Sequence, residues 1–542
     1  MNRRIILRAS VAIVSCTLGL AILMAASRAT SESATAPSAK SAPAPPAAAE
    51  SSCESLSTFA SPHTTITSAQ NVAAGAFTPP QANPAGAQAQ SPFKGAPEFC
   101  RVAATLKPSH DSDIKIEVWM PPKASWNGKL KSVGNGGWAG TINYAELANA
   151  LSQGYAAANT DTGHTSKPGE GPDFAVGHPE KLIDFSYRAL HEMTSTAKLL
   201  VAAYYAKNPT RSYYAGCSTG GRQGLTAVQR FPNDYDGVLN GDPNNDVVRV
   251  QGMQVWTAKI SHGDPSAYIP PEKYVVIHQA VLQQCDALDG VKDGLIEDPT
   301  RCHFDPQVLE CKGPDAPSCL TPAQVKVVRE IYAGPIDERT GKSMAPGLMP
   351  GSELGWAMLS GPKPGGLPLA ADTFGTLVYQ NPHWDYLAFD PARDFEAARN
   401  SIVGKMMNAV NSDLRPFFAH GGKLLMYHGW NDPAISPLMS VQYYESVVET
   451  VGGESKSTGS IRLFMLPGMN HCRGGDGPDT FDGIGAVDRW VETGKPPDRI
   501  VASHIKDGVA DRTRPLCPYP QVAHYVGSGS TDDAASFACS TP

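Results

Sequence analysis

A serine flanked by glycines, lying between a strand-like and a helix-like segment, constrains the fold of this chain more than any other feature. Residues 216–220 read GCSTG and fit the pattern G-x-S-x-G. An apolar run from about Ser212 precedes them, and a helix-compatible run follows until Pro232. A sharp strand-to-helix turn needs small residues here, because larger side chains would collide with neighbouring backbone. The pattern predicts a nucleophile turn at Ser218, although an ordinary glycine-rich turn also fits the five letters.

The segments around this turn alternate between strand and helix patterns. Period-two alternation over 114–120 predicts a strand, and 129–133 forms a second apolar run before a glycine loop. The segment 184–206 carries an apolar stripe with helical spacing and leads into the strand before Ser218. Such alternation is typical of an α/β protein with a mostly parallel sheet covered on both faces.

The alternation stops over residues 244–395, which contain four cysteines, an acidic loop and a Pro/Gly-rich run. A structureless loop of this length inside an α/β chain is improbable, so the sequence predicts an inserted lid domain. The α/β core is then expected in two parts, 53–243 and 396–542.

The N-terminus has the pattern of a targeting segment. Three arginines precede an apolar stretch over 9–26, and small residues follow, so residues 1–29 are predicted to be a signal peptide. Cys16 resembles a lipoprotein box, but the apolar run continues beyond it. Residues 30–52 are rich in Ala, Pro and Ser, which predicts a linker. We therefore expect an exported protein, either secreted or periplasmic.

The cysteine count and the charge exclude several classes of site and partner. Without Cys16, ten cysteines remain, and an even number after a signal peptide predicts five disulfides whose pairing the count leaves open. No C-x-x-C pair occurs, so a thiolate metal site is not expected. With 45 basic and 52 acidic residues, the net charge is −7, which argues against nucleic acid or an anionic membrane surface as a partner. No protein partner is evident.

Two further segments offer the base and acid that a serine nucleophile needs. Serine hydrolases of the α/β class place these groups in the order Ser, Asp, His. Asp432 follows an apolar strand in the sequence HGWND, and His471 follows another in GMNHC. Taken alone, the first is better explained as a turn-forming Asn-Asp-Pro and the second as a surface-loop histidine.

Donors for a developing oxyanion are expected from backbone amides. One is that of Thr219, directly after the serine, and another is that of Gly136 or Gly137 in the loop 134–140. A glycine loop can also bind phosphate, but neither of the usual nucleotide-binding patterns is present.

Taken together, GCSTGG (216–221), HGWND (428–432) and GMNHC (468–472) resemble the tannase/feruloyl esterase family, and the similarity extends from Cys53 onward. The resemblance implies an α/β-hydrolase fold with a large inserted lid, with Ser218 as nucleophile, His471 as base and Asp432 as the acid that orients it. It also implies the disulfides Cys217–Cys472, Cys53–Cys100, Cys285–Cys302, Cys311–Cys319 and Cys517–Cys539.

The acidic loop 285–298 supplies hard oxygen ligands and glycines that permit tight turns, which suits Ca²⁺. Resemblance to the family's lid calcium site implies five ligands, namely the side chains of Asp286, Asp289 and Asp293 and the carbonyls of Val291 and Leu295. A solvated acidic turn is the alternative. The ion would be structural.

Aromatic residues of the insertion and of the glycine loop are candidates for a substrate pocket. Trp138, Trp356 and Phe374, together with His428, are expected to contact an aromatic acyl group, although aromatic residues in a lid often form its core.

The sequence therefore predicts a secreted serine carboxylesterase acting on small aromatic esters, either feruloyl (hydroxycinnamoyl) or galloyl. One alternative is a mono(2-hydroxyethyl) terephthalate hydrolase. Such enzymes use a lid arginine, and none occurs here between Trp356 and Arg393. The alternative from another class is a non-catalytic, calcium-stabilised extracellular binding protein.

Overall fold

A mixed sheet of nine strands runs through the part of the chain that the structure describes. The structure is a computed structural model, and it describes residues 52–80, 93–166, 170–363 and 367–542. The predicted signal peptide, and the predicted linker up to residue 51, lie outside the described residues. No helix within the described ranges is long and apolar enough to cross a membrane.

The order of strands in the sheet is β1-β2-β3-β5-β4-β6-β7-β10-β11. The pairs β1-β2, β2-β3 and β3-β5 are antiparallel. The remaining neighbours, β5-β4, β4-β6, β6-β7, β7-β10 and β10-β11, are parallel. Three two-stranded sheets, β8-β9, β12-β13 and β14-β15, complete the described strands. The strands are β1 (Thr64–Val72), β2 (Phe99–Leu106), β3 (Ile114–Met120), β4 (Lys129–Val133), β5 (Ala156–Thr160), β6 (Arg211–Cys217), β7 (Gly237–Gly241), β8 (Ile336–Asp337), β9 (Lys342–Ser343), β10 (Lys423–Gly429), β11 (Ile461–Leu466), β12 (Ile500–Lys506), β13 (Val509–Leu516), β14 (Val522–Tyr525) and β15 (Phe537–Ser540).

Helices cover both faces of this sheet and fill the long connection between β7 and β10. The α-helices of the described residues are α1 (Tyr144–Ser152), α2 (Pro179–Ile183), α3 (Ala189–Tyr205), α4 (Thr219–Arg230), α5 (Val247–His262), α6 (Pro271–Cys285), α7 (Pro322–Ala333), α8 (Ala357–Ser360), α9 (Leu367–Asp372), α10 (Pro391–Asn400), α11 (Ile402–Met406), α12 (Arg415–Ala419), α13 (Leu438–Val451), α14 (Glu454–Ser457) and α15 (Gly483–Thr493). Two π-helical turns span Asp184–Arg188 and Thr373–Val378. Short 3-10 helices span Glu54–Thr58, Asp173–Ala175, Pro265–Ala267, Asp286–Asp289, Pro299–Arg301, Pro306–Leu309, Glu353–Gly355, Tyr386–Ala388 and Ala534–Ser536.

The connection between β7 and β10 is the predicted insertion, and it builds a hydrophobic core of its own. Buried side chains of α5, α6 and α7 pack with large aromatic residues from the later part of the insertion. The sheet with helices on both faces and this large insertion confirms the predicted α/β-hydrolase fold with a lid. The boundaries 244–395 stay a prediction, because the described parts of the insertion and of the core belong to one compact unit.

Five disulfides join the ten cysteines in the pairs that the family resemblance implies, which confirms that prediction. They are Cys53–Cys100, Cys217–Cys472, Cys285–Cys302, Cys311–Cys319 and Cys517–Cys539. Cys217–Cys472 spans 255 residues of sequence and links the end of β6 to the loop after β11. This bond therefore connects the neighbours of two predicted catalytic residues.

Candidate active site

Ser218 lies at a sharp turn between β6 and α4, as the sequence predicts. Its φ of 62° and ψ of −121° belong to a region that non-glycine residues rarely adopt. Backbone hydrogen bonds hold this conformation. The Ser218 amide donates to the carbonyl of Gly241 at 3.0 Å, and its own carbonyl accepts from Arg222 at 3.0 Å and Asn244 at 3.1 Å. The surrounding structure thus fixes a strained residue, as is common at functional sites.

Glycines allow this turn to pack against the loop after β4. A Cβ atom on Gly216 would lie 2.7 Å from the carbonyl carbon of Gly220. A Cβ atom on Gly134 would lie 2.5 Å from the hydroxyl of Tyr214 and 2.7 Å from the Cα of Gly220. These distances are shorter than any ordinary carbon contact, so the close approach of the two segments requires glycine.

Asp432 and His471 meet at the same edge of the sheet, where β10 and β11 end. His471 Nδ1 donates to Asp432 Oδ2 at 2.6 Å. The other carboxylate oxygen, Oδ1, accepts from the amides of Ala434 at 2.7 Å and Ile435 at 2.9 Å. With Nδ1 engaged by the buried acid, Nε2 of His471 is the nitrogen left to bind another group.

The charges of this pair reinforce each other. Burial opposes ionisation of Asp432, but the charge of His471 and hydrogen bonds from His428 and His471 hold its pKa well below the usual range. Burial likewise disfavours the charged imidazole of His471, yet the charge and hydrogen bond of Asp432, with the charge of Asp242, raise its pKa. The site therefore stabilises a protonated His471 beside an ionised Asp432.

Asp242 is a second buried acid at this site, and the sequence analysis missed it. It follows β7 directly and has a φ of 35°. One oxygen accepts from the amide of Gly429 at 2.9 Å, and the other accepts from the amide of Cys472 at 3.2 Å and lies 3.2 Å from Cys217 Sγ. Burial raises the pKa of Asp242 to about 6, with His428 opposing this effect. The signal that identifies Asp432, an aspartate directly after a parallel strand, would also have found it.

His428 does not line the substrate pocket, so that prediction is wrong. It lies on β10 with its ring fully buried behind Asp432. Nε2 is 3.1 Å from Asp432 Oδ2 and 3.2 Å from the carbonyl of Ile435, while Nδ1 is 2.7 Å from Ser440 Oγ. Because Nε2 faces two acceptors, it must carry a hydrogen, while Nδ1 is hydrogen-bonded to the Ser440 hydroxyl. Its neighbour on β10, Tyr427, faces the opposite side of the sheet and reaches the cavity instead.

The glycine loop lines the same cavity as Ser218, and several of its polar groups form hydrogen bonds within the protein. The Gly134 amide donates to the carbonyl of Ala215 at 3.0 Å, and Thr219 Oγ1 donates to the carbonyl of Gly137 at 3.0 Å. Within the described residues, the amides of Gly136 and Gly137 donate to no protein acceptor. Thr219 opens α4, so its amide has no acceptor within that helix. The predicted oxyanion donors are thus free to bind a ligand.

A cavity of about 980 Å³ contains these groups. Ser218, His471, Thr219 and the two glycines line it, and so does Trp138, as predicted. Further walls come from apolar and amide side chains that the sequence did not single out, namely Met358, Leu369, Met407, Asn244, Gln251 and Gln254.

Trp356 and Phe374 are absent from the walls of this cavity, which differs from the prediction. Trp356 is buried within the insertion, where its ring lies 5.4 Å from that of Tyr332 and its Nε1 donates to Ser352 Oγ at 3.0 Å. Phe374 stacks on Trp384 at 5.4 Å. Both side chains supply the core that the insertion needs, which is the more common use of large buried aromatics.

The acidic loop of the insertion carries the three predicted carboxylates, but Asp293 is ion-paired with the buried guanidinium of Arg514, and the described structure does not bring the three carboxylates together. Both oxygens of Asp286 accept backbone amides, from Asp293 and Gly294, at 3.1 Å each. Asp289 Oδ1 accepts from the Val291 amide at 3.1 Å, whereas Asp289 Oδ2 is buried and has no partner among the described residues. Burial raises the pKa of Asp289 to about 6. An orphaned buried carboxylate oxygen of this kind suits a calcium ligand.

Comparisons with known proteins agree with this geometry. A family model described as "Tannase and feruloyl esterase" matches residues 100–540. An uncharacterized esterase of Xanthomonas campestris is 37% identical over 538 residues, covering 91% of this chain and 92% of that protein. A probable feruloyl esterase B-2 of Neosartorya fischeri is 34% identical, covering 82% of this chain and 86% of that protein. The crystal structure of feruloyl esterase B from Aspergillus oryzae has a TM-score of 0.81 and 31% identity and covers 90% of this chain and 99% of that chain. The chain therefore belongs to the tannase and feruloyl esterase family.

Proposed function

We propose that this esterase of the feruloyl esterase and tannase type is an exported serine hydrolase that cleaves esters of aromatic acids through an acyl-enzyme. Ser218 is the nucleophile, His471 the base and Asp432 the acid that orients the base. The observation that carries the proposal is the convergence of these three residues at one edge of the sheet, with Ser218 and His471 lining one cavity.

In the first step, Nε2 of His471 takes the proton of the Ser218 hydroxyl while Oγ attacks the ester carbonyl. Asp432 holds the other ring nitrogen at 2.6 Å and balances the positive charge that forms on the imidazole. His471 then donates its proton to the leaving alcohol, and the acyl group remains on Ser218.

The negative charge on the carbonyl oxygen is received by the amide of Thr219 and by that of Gly136 or Gly137. Because these amides have no hydrogen bond to a protein acceptor that must first break, they can bind the oxyanion with little rearrangement of the protein. Loss of one such donor lowers kcat by about 10²- to 10³-fold in enzymes of this kind.

Water completes the reaction. His471 takes a proton from the water, the hydroxide attacks the acyl carbonyl, and the proton returns to Oγ as the carboxylic acid leaves. The products are one aromatic acid and one alcohol, and Ser218 is regenerated.

The acyl group is of the hydroxycinnamoyl or galloyl class. Trp138, Met358 and Leu369 give the cavity a partly apolar wall, and Gln251 and Gln254 add amide groups that match phenolic hydroxyls. Relatives named feruloyl esterase at 31% and 34% identity support this substrate class.

A panel of methyl ferulate, methyl gallate and mono(2-hydroxyethyl) terephthalate tests the proposal, with hydrolysis followed by chromatography. We expect cleavage of at least one of the first two by the wild type and none by Ser218→Ala. The exposed Ser152→Ala serves as the control and should behave like the wild type. A fluorophosphonate should label the wild type at Ser218 only. Wild-type rates in Ser218→Ala would refute the serine mechanism.

Two further features belong to the proposal. Residues 1–29 direct export and are removed, so the mass of the exported protein should correspond to a chain without them. A Ca²⁺ ion would be held by the side chains of Asp286, Asp289 and Asp293 and by the carbonyls of Val291 and Leu295, and it would stabilise the insertion without acting in catalysis. Chelation should lower the Tm of the wild type, and Asp289→Asn should remove most of this effect.

A further inference from the structure

A histidine and a serine from the segment after β5 form hydrogen bonds with the glycine loop. Nε2 of His164 lies 2.8 Å from the carbonyl oxygen of Trp138, and Ser166 Oγ donates to the same oxygen at 2.9 Å. Ser166 Oγ also accepts the amide of Gly140 at 2.8 Å. A single carbonyl of the loop therefore receives two side-chain donors.

The ring of His164 is fixed both in its tautomer and in its orientation. A backbone carbonyl can only accept, so Nε2 carries the hydrogen of the ring. His164 is 5% exposed, and burial lowers its pKa to about 4, so the ring is neutral near neutral pH. Phe174 stacks on this ring at 3.6 Å, and Phe185 lies 5.6 Å from it and 4.9 Å from the ring of Trp138. The donor thus has one position relative to the loop.

Peptide planes connect this contact to the predicted oxyanion donors. The carbonyl of Trp138 shares its peptide plane with the amide of Ala139, and that amide donates to the carbonyl of Gly136 at 3.0 Å. The carbonyl of Gly136 shares its own plane with the amide of Gly137, which donates to no acceptor among the described residues. Because each peptide group is planar, a donor that holds the Trp138 carbonyl also restricts the direction of the Gly137 N–H.

The same pattern distinguishes the two candidate glycines. The carbonyl of Gly137 accepts from Thr219 Oγ1 at 3.0 Å, so the peptide planes on both sides of Gly137 are held. The amide of Gly136 shares its plane with the carbonyl of Asn135, which accepts no hydrogen bond within the described parts of the chain. Gly137 is therefore the donor with the fixed direction, and its φ of 54° is one that glycine adopts without strain.

The backbone around His164 is shaped for this close approach. A Cβ atom on Gly140 would lie 2.4 Å from the carbonyl oxygen of His164. Two residues before the histidine, Thr162 has a φ of 64°, which is unfavourable for a β-branched residue. The next amide, that of Gly163, donates to Asp161 Oδ1 at 2.9 Å and stabilises the turn. Strain of this kind persists where the surrounding structure holds it, and it is common beside functional sites.

We propose that His164 and Ser166 are positioning residues that direct the amide of Gly137 at the oxyanion formed during ester cleavage. Neither side chain lines the cavity, so both act through the loop and not on the substrate. Two donors on the Trp138 carbonyl also polarise the chain of hydrogen bonds that ends at Gly137, which makes its N–H a stronger donor. The inference rests on the proposed function, because it assigns a role within the acyl-transfer steps.

Three variants test the role on whichever ester of the panel the wild type cleaves. His164→Phe keeps a ring that can stack on Phe174 but removes the donor. We expect it to lower kcat by about 10- to 100-fold with KM little changed, because the walls of the cavity are untouched and a misdirected donor costs less than a lost one. His164→Gln supplies an amide donor and should recover part of this loss. Ser166→Ala removes the second donor and should lower kcat in the same way.

A thionoester separates a misdirected oxyanion donor from a general structural loss. In the thionoester of the same acid, sulfur replaces the carbonyl oxygen, and sulfur is a weak acceptor, so the amide donors contribute little to its cleavage. His164→Phe should therefore lower kcat/KM for the oxygen ester far more than for the thionoester. A disturbed Ser218 or His471 would lower both alike.

His262→Phe is the matched control. Nε2 of His262 also faces a backbone carbonyl, that of Gly361 at 3.0 Å, but it does so within the insertion. This variant should keep the wild-type kcat and the wild-type ratio between the two esters. Circular dichroism checks that each variant is folded, and Ser166→Ala carries the test if His164→Phe is not.

Two kinds of result would overturn the inference. A wild-type kcat in the folded variants of His164 and Ser166, or an equal loss with ester and thionoester, would do so while the proposed function stands. If the wild type cleaves no ester of the panel, the proposed function fails, and the inference fails with it.

Discussion

Removal of the Cys217–Cys472 disulfide should affect activity far more than its contribution to stability explains. The bond closes a separation of 255 residues, which in the loop-entropy treatment corresponds to about 5.5 kcal/mol of stability at 25 °C. Cys53–Cys100 closes 47 residues at the antiparallel end of the sheet, which corresponds to about 4 kcal/mol. The two bonds thus differ by only about 1.5 kcal/mol in stability, whereas only the first joins the neighbours of Ser218 and His471.

We therefore expect the double variant Cys217→Ala/Cys472→Ala to lose about 100-fold in kcat, the cost typical of a displacement of about 1 Å between reacting groups. The double variant Cys53→Ala/Cys100→Ala should keep its kcat while losing a similar amount of stability. Both are assayed on the preferred ester at a temperature where circular dichroism shows each variant to be folded, and their stabilities come from urea unfolding. An unchanged kcat in the first variant, or an equal loss in the second, would refute the idea that the bond fixes catalytic geometry.

Three other changes have defined outcomes. Asp432→Asn should lower kcat by about 10⁴-fold in steady-state assays without a matching loss of Tm, because an amide no longer fixes the tautomer of His471. In the wild type, kcat/KM should rise with pH to a midpoint above the ordinary histidine pKa of about 6.5, because Asp432 and Asp242 raise the pKa of His471 and only neutral imidazole accepts the serine proton. A midpoint at or below that value would contradict this electrostatic account. Gly134→Ala should cost about 1–3 kcal/mol in urea unfolding, because its Cβ would lie 2.5 Å from the Tyr214 hydroxyl.

The residues that sequence alone located share a local signature. Ser218, Asp432 and His471 each lie within a few residues of the end of a parallel strand, and parallel strands place their ends at one edge of the sheet. The fold and the positions of these residues can be predicted from such short segments, because they depend on which residues follow the end of each strand and not on distant packing. Asp242 carries the same signature at the end of β7, so its omission was an error of inference and not a limit of the sequence.

The residues that sequence misplaced depend on packing across the chain. Trp356 and Phe374 are of a residue type that often lines binding pockets. Whether an aromatic ring lines a cavity or fills a core is decided by the neighbours that the insertion supplies. His428 was different, because strand alternation places it and Tyr427 on opposite faces of β10.

Backbone strain explains why this site needs so many constraints. Three non-glycine residues with positive φ meet around the Cys217–Cys472 disulfide: Ser218 at 62°, Asp242 at 35° and Cys472 at 67°. Conformations of this kind cost about 1–3 kcal/mol each, so together they are comparable to the net stability of many domains. The carboxylate of Asp242 accepts the amide of Cys472, and the disulfide ties that residue to the turn of Ser218, so each strained residue is held by another. Relief of any one of them would release the geometry of the other two, so we expect substitutions at Ser218, Asp242 and Cys472 to have non-additive effects on stability.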